Sequence, residues 1–594
     1  MEHSGGILRF FLHPHPCSEG LHRRDLGRQT PENFHPRRFE SSRTDRRGLP
    51  FRGDSPDRVF PPIPRGYGEA SMILPPPSYQ GLSCYYGDFH NHCGISYGHG
   101  KLEDAFENAK LQLDFASVTG HSSWPDIPPR RGYMESVVDY HVSGFQKLET
   151  QFEYFKRITE SYNQPPQFIT FLSYEVHSLQ DGDYTVVLRD IPDRMYKPSS
   201  IGELQAYIRQ NNREGNPCLI LPHHIGYKTG YRGINWETFS EETSPLVEII
   251  SMHGCAESDD APFPYLHTMG PRTSRNTMQA GLAKGFHFGV TGSTDHHSAH
   301  PGSYGFGKTG VWAESLSRTH IWEAFQHRRT FALSGDRMKL AFSVNEAPMG
   351  SVLPPSRNRK AQIFLEGGYA IDFLEILKNN RVVYHRSPWR ETDQGKATGN
   401  AAFSSHPLGK PYRGKVHIEV GWGEKGVELP WEVSITVEGG TLRSVEPRFH
   451  GIDIVDPKDS GRDEYRFSSW NSIPQGVVFR TKTWGNPTST SSATQGVSLE
   501  LEGTKETHLR CAVNGRPFSF SIEELLHGSL TEYLGGFLSG AIRIHRFVPE
   551  QEYLFSFEWE DPAGEETDSD FYYLRVCQRN GHWGWSSPIR FRKG

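Results

Sequence analysis

The chain has 594 residues, more than one ordinary core holds, and 35% of them are hydrophobic, so two or three water-soluble domains are expected. A formal charge of −6 gives no reason to expect a nucleic-acid partner. The seven cysteines (Cys17, Cys84, Cys93, Cys218, Cys255, Cys511, Cys577) are odd in number and nowhere spaced C-x-x-C. That argues against a disulfide framework and a thiolate zinc site, and for a reducing, cytoplasmic compartment. No run of about 18 apolar residues marks a membrane helix, and Ile7–Leu12, broken by Arg9, is too short for a secretory leader. No membrane association is expected.

Residues 1–66 carry twelve arginines, no lysine and many prolines, with eight acids interleaved. Such a segment buries little surface, and residues 1–75 read as a disordered or extended Arg/Pro-rich arm. From Tyr85 to Gly335 short apolar runs alternate with helical stretches. Leu102–Leu111 reads as a helix with Leu102, Ala105, Phe106 and Ala109 on one stripe, and Phe115–Thr119 as a strand. Tyr140–Tyr162 reads as one long amphipathic helix and Met278–Lys284 as a short one. Phe168–Leu172, Cys218–Leu221, Val247–Ser251 and His287–Thr291 read as strands. Strand and helix in repetition imply a parallel sheet, open or closed into a barrel, over residues 80–338.

Beyond residue 338 the texture changes. Gln362–Glu366, Ile371–Leu377, His417–Val420, Trp431–Val437, Tyr553–Glu558 and Tyr572–Cys577 read as short strands without intervening helices. Lys378–Arg381 reads as a hairpin turn into Val382–Tyr384. This pattern predicts a β-sandwich-like domain over 339–594, with a Ser/Thr-rich loop at Pro487–Gln495. Trp583 and Trp585 suit a sugar platform or, more commonly, a core.

The chemistry concentrates between residues 86 and 300. Asp88-Phe89-His90-Asn91-His92 is followed by His99, Thr119-Gly120-His121, Glu175, His177, His223-His224, His253 and Asp295-His296-His297. Imidazole and carboxylate are the ligands of Zn, Mn and Fe. Most of these residues fall at the C-terminal ends of the read strands, the face on which parallel barrels gather their chemistry. Along an extended segment His90 and His92 point the same way and can share one ion, with Asp88 orienting an imidazole behind them. A carboxylate at a buried strand end, as Glu175 is read, needs a cation, either two bridged metals or an arginine. One of His223 and His224 reads as a ligand and the other as a substrate contact. Asp295 and His297 repeat the D-x-H spacing, whereas His296 and His300 read as bystanders.

Together these pieces resemble the PHP (polymerase and histidinol phosphatase) superfamily, whose hallmarks are D-x-H-x-H, a T-D-H turn, a buried glutamate, a strand-end histidine and a late S-D-x-H. The resemblance covers about residues 85–335. Tyr86-Gly87-Asp88, Pro222-His223-His224, Arg329-Thr330-Phe331-Ala332, Ser334-Gly335-Asp336-Arg337 and the tail motifs Tyr572–Val576 and Trp585–Ile589 resemble a poorly characterised branch that includes carbaryl-hydrolase-like enzymes. The resemblance implies a distorted (β/α)7 barrel holding two or three Zn, Mn or Fe ions. His90, His92, Glu175 and Asp295 would hold the first; Glu175, His223 and His253 the second; His99, His121 and His297 the third. The sequence departs from the pattern at Gly120, where the superfamily usually has Asp.

A water bridging two divalent ions has its pKa lowered toward roughly 7 and becomes a hydroxide nucleophile. Glu175, Asp295, His177 and His224 are the candidate catalytic groups, the two histidines as donors to a leaving group. Lys228, Arg232, Arg272 and Arg275, on loops after strand ends, are candidates to bind an anionic small-molecule substrate. The expected function is a metal-dependent hydrolase, with phosphoesters favoured and carboxylic esters or carbamates as the alternative. A reading of another class is a non-enzymatic scaffold whose β-sandwich binds carbohydrate or protein. The sequence carries no signal for an oligomeric state.

Overall fold

A computed structural model describes residues 74–388, 411–452, 462, 464–486, 492–561 and 569–592. Residues 1–73 of the Arg/Pro-rich arm and residues 487–491 of the expected Ser/Thr-rich loop lie outside the described residues. Within the described part of that loop, Thr494 and Gln495 already belong to the strand Thr494–Val513.

The first lobe is mixed α/β. Its strands are β1 (Ser83–Asp88), β2 (Phe115–Ser123), β3 (Ile169–Val176), β4 (Asp183–Leu188), β5 (Cys218–His223), β6 (Leu246–Ser251), β7 (Gly254–Cys255), β8 (Gly289–Gly292), β9 (Lys308–Ala313) and β10 (Thr330–Leu333). The helices are α1 (Leu102–Gln112), α2 (Met134–Thr150), α3 (Phe152–Ser161), α4 (Ile201–Arg213), α5 (Met278–Ala283) and α6 (Arg318–Gln326). α1 buries the stripe read from the sequence, with Glu103 and Asp104 in its first turn and Lys110 in its last, matching the helix dipole. At α4 the Ser200 hydroxyl accepts from the Glu203 N–H at 3.1 Å and so caps a free donor. The helix expected over Tyr140–Tyr162 is two helices broken at Gln151. The buried stripe Phe145, Leu148, Phe152, Phe155 runs on unbroken across that point, and nothing in the sequence marks the break.

The sheet is mixed rather than parallel. β1, β2 and β3 pair in parallel, but β4 runs antiparallel between β3 and β5, and β9 antiparallel between β1 and β10. The reason is chain length. Only His177–Gly182 join β3 to β4, too few residues for the crossover that a parallel pair needs. The strands do not close into a hydrogen-bonded barrel: β6 and β8 pair in parallel in a separate three-stranded sheet with β7, and β5 ends the larger one.

The larger sheet continues past residue 338. Trp583–Ser586 pairs antiparallel with β10, and Phe571–Gln578 with Trp583–Ser586. The tail motifs thus dock on the first lobe. Trp585 is fully buried beneath Trp583, which makes it core rather than a sugar platform. A nine-stranded antiparallel sheet from Tyr412–Trp422 to Val548–Pro549 builds its own core from Val416, Ile418, Val433, Ile435, Leu499 and Leu501, among others. Lys339–Val344, Ala347–Pro348, Lys360–Glu366 and Leu554–Glu560 form a four-stranded sheet, and Ser71–Gly594 forms one unit. Among the described residues no helix is long and apolar enough to cross a membrane, and the six described cysteines are free thiols.

Candidate metal centre

Six separate segments deliver the centre. β2 ends by presenting His121, β3 presents Glu175 and β5 presents His223. His253 follows β6, and Asp295 follows β8 with a left-handed backbone (φ 53°). The main-chain N–H of Asp295 donates to the His90 carbonyl (2.6 Å), and that of His92 to the His296 carbonyl (2.7 Å). These two bonds bring the early and late motifs together.

Most of the predicted ligands converge. Asp295 Oδ1 lies 3.3 Å from His90 Nε2 and 3.1 Å from His92 Nε2, and Asp295 Oδ2 lies 2.7 Å from His253 Nε2. Glu175 Oε2 faces His121 (3.4 Å), His92 (3.5 Å) and His90 (3.7 Å). Its other oxygen, Oε1, faces His177 Nδ1 (2.9 Å) and His223 Nε2 (3.1 Å). Glu175 thus stands between two sets of nitrogens with one oxygen for each, the disposition of a bridging carboxylate.

Hydrogen bonding on the far side of each ring decides what these nitrogens can do. His92 Nδ1 donates to the Thr119 carbonyl (2.6 Å), His297 Nδ1 to the Asp295 carbonyl (2.8 Å) and His90 Nδ1 to the Glu248 carboxylate (3.1 Å). A neutral ring whose Nδ1 donates has its lone pair on Nε2. In His90 and His92 that lone pair points at carboxylate oxygens. Acceptor then faces acceptor, which is repulsive without a cation between them. His90 Nε2, Glu175 Oε2 and Asp295 Oδ2 are buried and make no hydrogen bond, so the 2.7 Å approach of His253 to Asp295 lacks hydrogen-bond geometry. Buried polar atoms are rarely left so. The donor set therefore fits divalent metal ions.

The electrostatics agree. Burial pushes the Glu175 and Asp295 carboxyls up, but His177 and His223 around the first, and His90 and His253 around the second, hold both well below the usual carboxylate range. Burial drives His92 and His121 below the ordinary imidazole value and His297 down to about 3, so these rings are neutral and ready to ligate. His90 is opposite. Burial lowers it, but Asp295 and Glu248 outweigh burial and raise it well above. Without an ion, a proton takes that place.

Other expectations fare differently. Asp88 orients no imidazole: it accepts from the His90 N–H (3.1 Å), the Thr294 hydroxyl (2.5 Å) and the Gly302 N–H (2.8 Å), tying the loops together. Glu248 and the Thr119 carbonyl orient the rings instead. The third cluster is His92, His121 and His297, their ligand atoms within 4.8 Å of one another. His99 donates its main-chain N–H to the His297 carbonyl (2.8 Å), and its ring stacks 6.2 Å from Tyr465. His253 places Nε2 beside Asp295. His224, with a left-handed backbone, places Nε2 3.5 Å from Asp183 Oδ2. His296 and His300 are buried and stand in none of these clusters. Gly120 marks where Leu148 of α2 fills the space: a Cβ there would lie 2.6 Å from Leu148 Cδ1.

Of the four candidate substrate cations, Arg232 alone reaches the centre. Lys228 is exposed over Tyr231, Arg275 is exposed, and Arg272 donates to the carbonyls of Cys255 (2.6 Å), Ala261 (3.1 Å) and Asp259. The sequence reading missed Asp183, which joins Glu175, His223 and His224 in one cluster. It also missed Glu248 and Tyr97, whose hydroxyl lies 2.8 Å from His177 Nε2. A lone acid inside an apolar strand was the signal for Glu248.

A second cluster, His417, Glu419 and His545, lies in the nine-stranded sheet. Arg448 Nη1 lies 2.7 Å from His417 Nδ1. A guanidinium only donates, so His417 keeps its proton on Nε2 and has no lone pair for an ion.

A family model described as "Protein of unknown function (DUF3604)" matches residues 303–349, which include β9 and β10 but none of the candidate ligands. The chain is 26% identical over 199 residues to an uncharacterized protein of Chlamydia muridarum, covering 31% of this chain and 32% of that protein. It is 28% identical over 173 residues to an uncharacterized protein of Chlamydia trachomatis, covering 26% and 28%. The chain thus spans about a third or less of the length of these relatives. A solved two-domain protein of Bacteroides vulgatus, described as containing a predicted PHP-like metal-dependent phosphoesterase, superposes with a TM-score of 0.29 at 17% identity, over 53% of this chain and 83% of that one. The functional reading therefore rests on the centre itself.

Proposed function

We propose that the chain is a metal-dependent hydrolase, its ions held at the converging strand ends by His90, His92, His121, Glu175, His223, Asp295 and His297, with His253 at the Asp295 edge. The observation that supports this most is acceptor facing acceptor at Glu175 and Asp295 while the Nδ1 atoms of His90, His92 and His297 are pinned elsewhere. Divalent ions held there would lower the pKa of a water toward about 7 and polarise the bond to be cleaved. Glu175 and Asp295 would hold the charge of the ions in place. His224, whose Nδ1 is buried without a hydrogen bond and which burial drives well below the ordinary imidazole value, is neutral and suits accepting a proton from water rather than donating one to a leaving group. His177 is committed at both nitrogens, to Arg232 (2.6 Å) and Tyr97 (2.8 Å), so its role is to position.

Phosphoesters are the favoured substrates on the sequence resemblance. One observation favours a neutral carboxylic ester or carbamate instead: three of the four candidate cations lie away from the centre, and the fourth is paired with Asp183. Rates on p-nitrophenyl phosphate, an aryl acetate and an aryl carbamate, with Mn or Zn supplied, rank the readings. Hydrolysis that a chelator abolishes and metal restores is the expected result. No metal-dependent turnover of any of the three would count against the hydrolase and for the scaffold.

A further inference from the structure

Arg232 is held through both Nη atoms, while its Nε is buried without a hydrogen-bond partner. Its Nη2 lies 2.5 Å from Asp183 Oδ2, 2.6 Å from His177 Nδ1 and 3.7 Å from Glu175 Oε1. Its Nη1 lies 3.2 Å from Met269 Sδ, and the guanidinium sits over the Trp124 ring at 5.4 Å. The backbone is set for this: Arg232 has φ 67°, and a Cβ on the next residue, Gly233, would lie 1.6 Å from the Tyr227 carbonyl oxygen. Only glycine allows so tight a turn, and a non-glycine residue in the left-handed region is a strained arrangement kept where the surroundings demand it.

The atoms around Nη2 would suit an ion. Because a guanidinium only donates, His177 Nδ1 is an acceptor, and its proton sits on Nε2 and goes to the Tyr97 oxygen. His177 Nδ1 then lies 2.9 Å from Glu175 Oε1 and 3.3 Å from Asp183 Oδ2, so three acceptors share one small space. The register Asp183↔His223 between β4 and β5 brings Asp183 there. Elsewhere in the centre no lysine or arginine among the described residues reconciles such convergence; here Arg232 does.

On the metal reading above, we propose that Arg232 is a resident cation of the centre, taking the place of a metal ion between Asp183, His177 and Glu175. The centre then binds one ion fewer than its acceptors would otherwise hold. Charge supports this. Glu175, Asp183, Asp295 and Glu248 are four buried carboxyl groups. Arg232 offsets one of their negative charges and so lowers the positive charge that ions must supply.

The test is the number of ions per chain. Wild type, Arg232→Met, Arg232→Lys and Asp183→Asn are loaded with Zn, passed over a desalting column and assayed by elemental analysis. Arg232→Met is expected to gain about one ion per chain, while Arg232→Lys, which keeps the charge, matches wild type. Asp183→Asn is also expected to match wild type, since its carboxylate holds Arg232 and not an ion. An Arg232→Met protein with the wild-type count or fewer overturns the proposal. So does an Asp183→Asn protein short of one ion, which decides the matter even if Arg232→Met fails to fold. A wild type holding no ions would sink the metal reading itself, a separate result read from the same table.

Discussion

Glu175→Gln is the perturbation that bears most on the bridging carboxylate. Its two oxygens face five imidazole nitrogens between 2.9 and 3.7 Å away, and the residue is almost fully buried. Gln keeps the volume, so the packing around β3 stays. It removes the charge and turns one oxygen into a donor pointing at lone pairs. Removing one partner of a buried charge pair costs about 3–5 kcal/mol. At 1.4 kcal/mol per tenfold, ion affinity should fall by about a hundred- to a few-thousand-fold. Competition with a chromophoric chelator measures this directly, with near-UV circular dichroism as the check on the fold. A Glu175→Gln protein whose competition midpoint stays within about threefold of wild type would refute the reasoning.

Three further outcomes follow from named contacts. Glu248→Gln leaves every ligand in place but weakens the acceptor that orients His90 at 3.1 Å, so ion affinity should fall about 10- to 100-fold, less than for Glu175→Gln; an equal or larger loss would contradict the assigned roles. Gly120→Asp, which restores the residue usual in the superfamily, forces a side chain into Leu148 and should cost about 1–3 kcal/mol, read as a lower Tm. Leu148→Ala in the same chain should recover part of that loss, and no recovery would mean that Leu148 is not the obstacle. Lys308 is buried and donates to the Gly335 carbonyl (3.0 Å), and burial pulls its pKa down from the ordinary 10.5 to about 8. Between those values the unfolded chain binds the proton more tightly, so stability rises with pH across that window, and below pH 8 the cost is fully present, about 3 kcal/mol. Lys308→Met should therefore be more stable than wild type at pH 7, and its advantage should shrink by pH 10; an advantage that grows with pH would reverse the sign.

Much of the centre is legible in the sequence because local pattern carries it. D-x-H-x-H, a carboxylate at the end of Phe171-Leu172-Ser173-Tyr174, and paired histidines after an apolar run are short-range signals. What local pattern cannot carry is register. Asp183 opens a strand that runs antiparallel to its neighbours, and only its pairing with His223 brings it to Glu175. The same strand, with β9, turns the expected parallel sheet into a mixed one. Arg232 is legible as a loop cation, but its bonds to Asp183 and His177 depend on three distant segments. Asp88 illustrates the converse. Its place in the motif suggested an imidazole partner, yet its oxygens are taken by donors of residues 90, 294 and 302.

The central claim is that separate segments of this chain converge to grip metal ions. Crystals grown with Zn or Mn and recorded on both sides of the metal's absorption edge test it most directly. The account predicts anomalous difference peaks between Asp295, Glu175 and the Nε2 atoms of His90 and His92. A map without a peak there, or with its only peak at His417, Glu419 and His545, would contradict it.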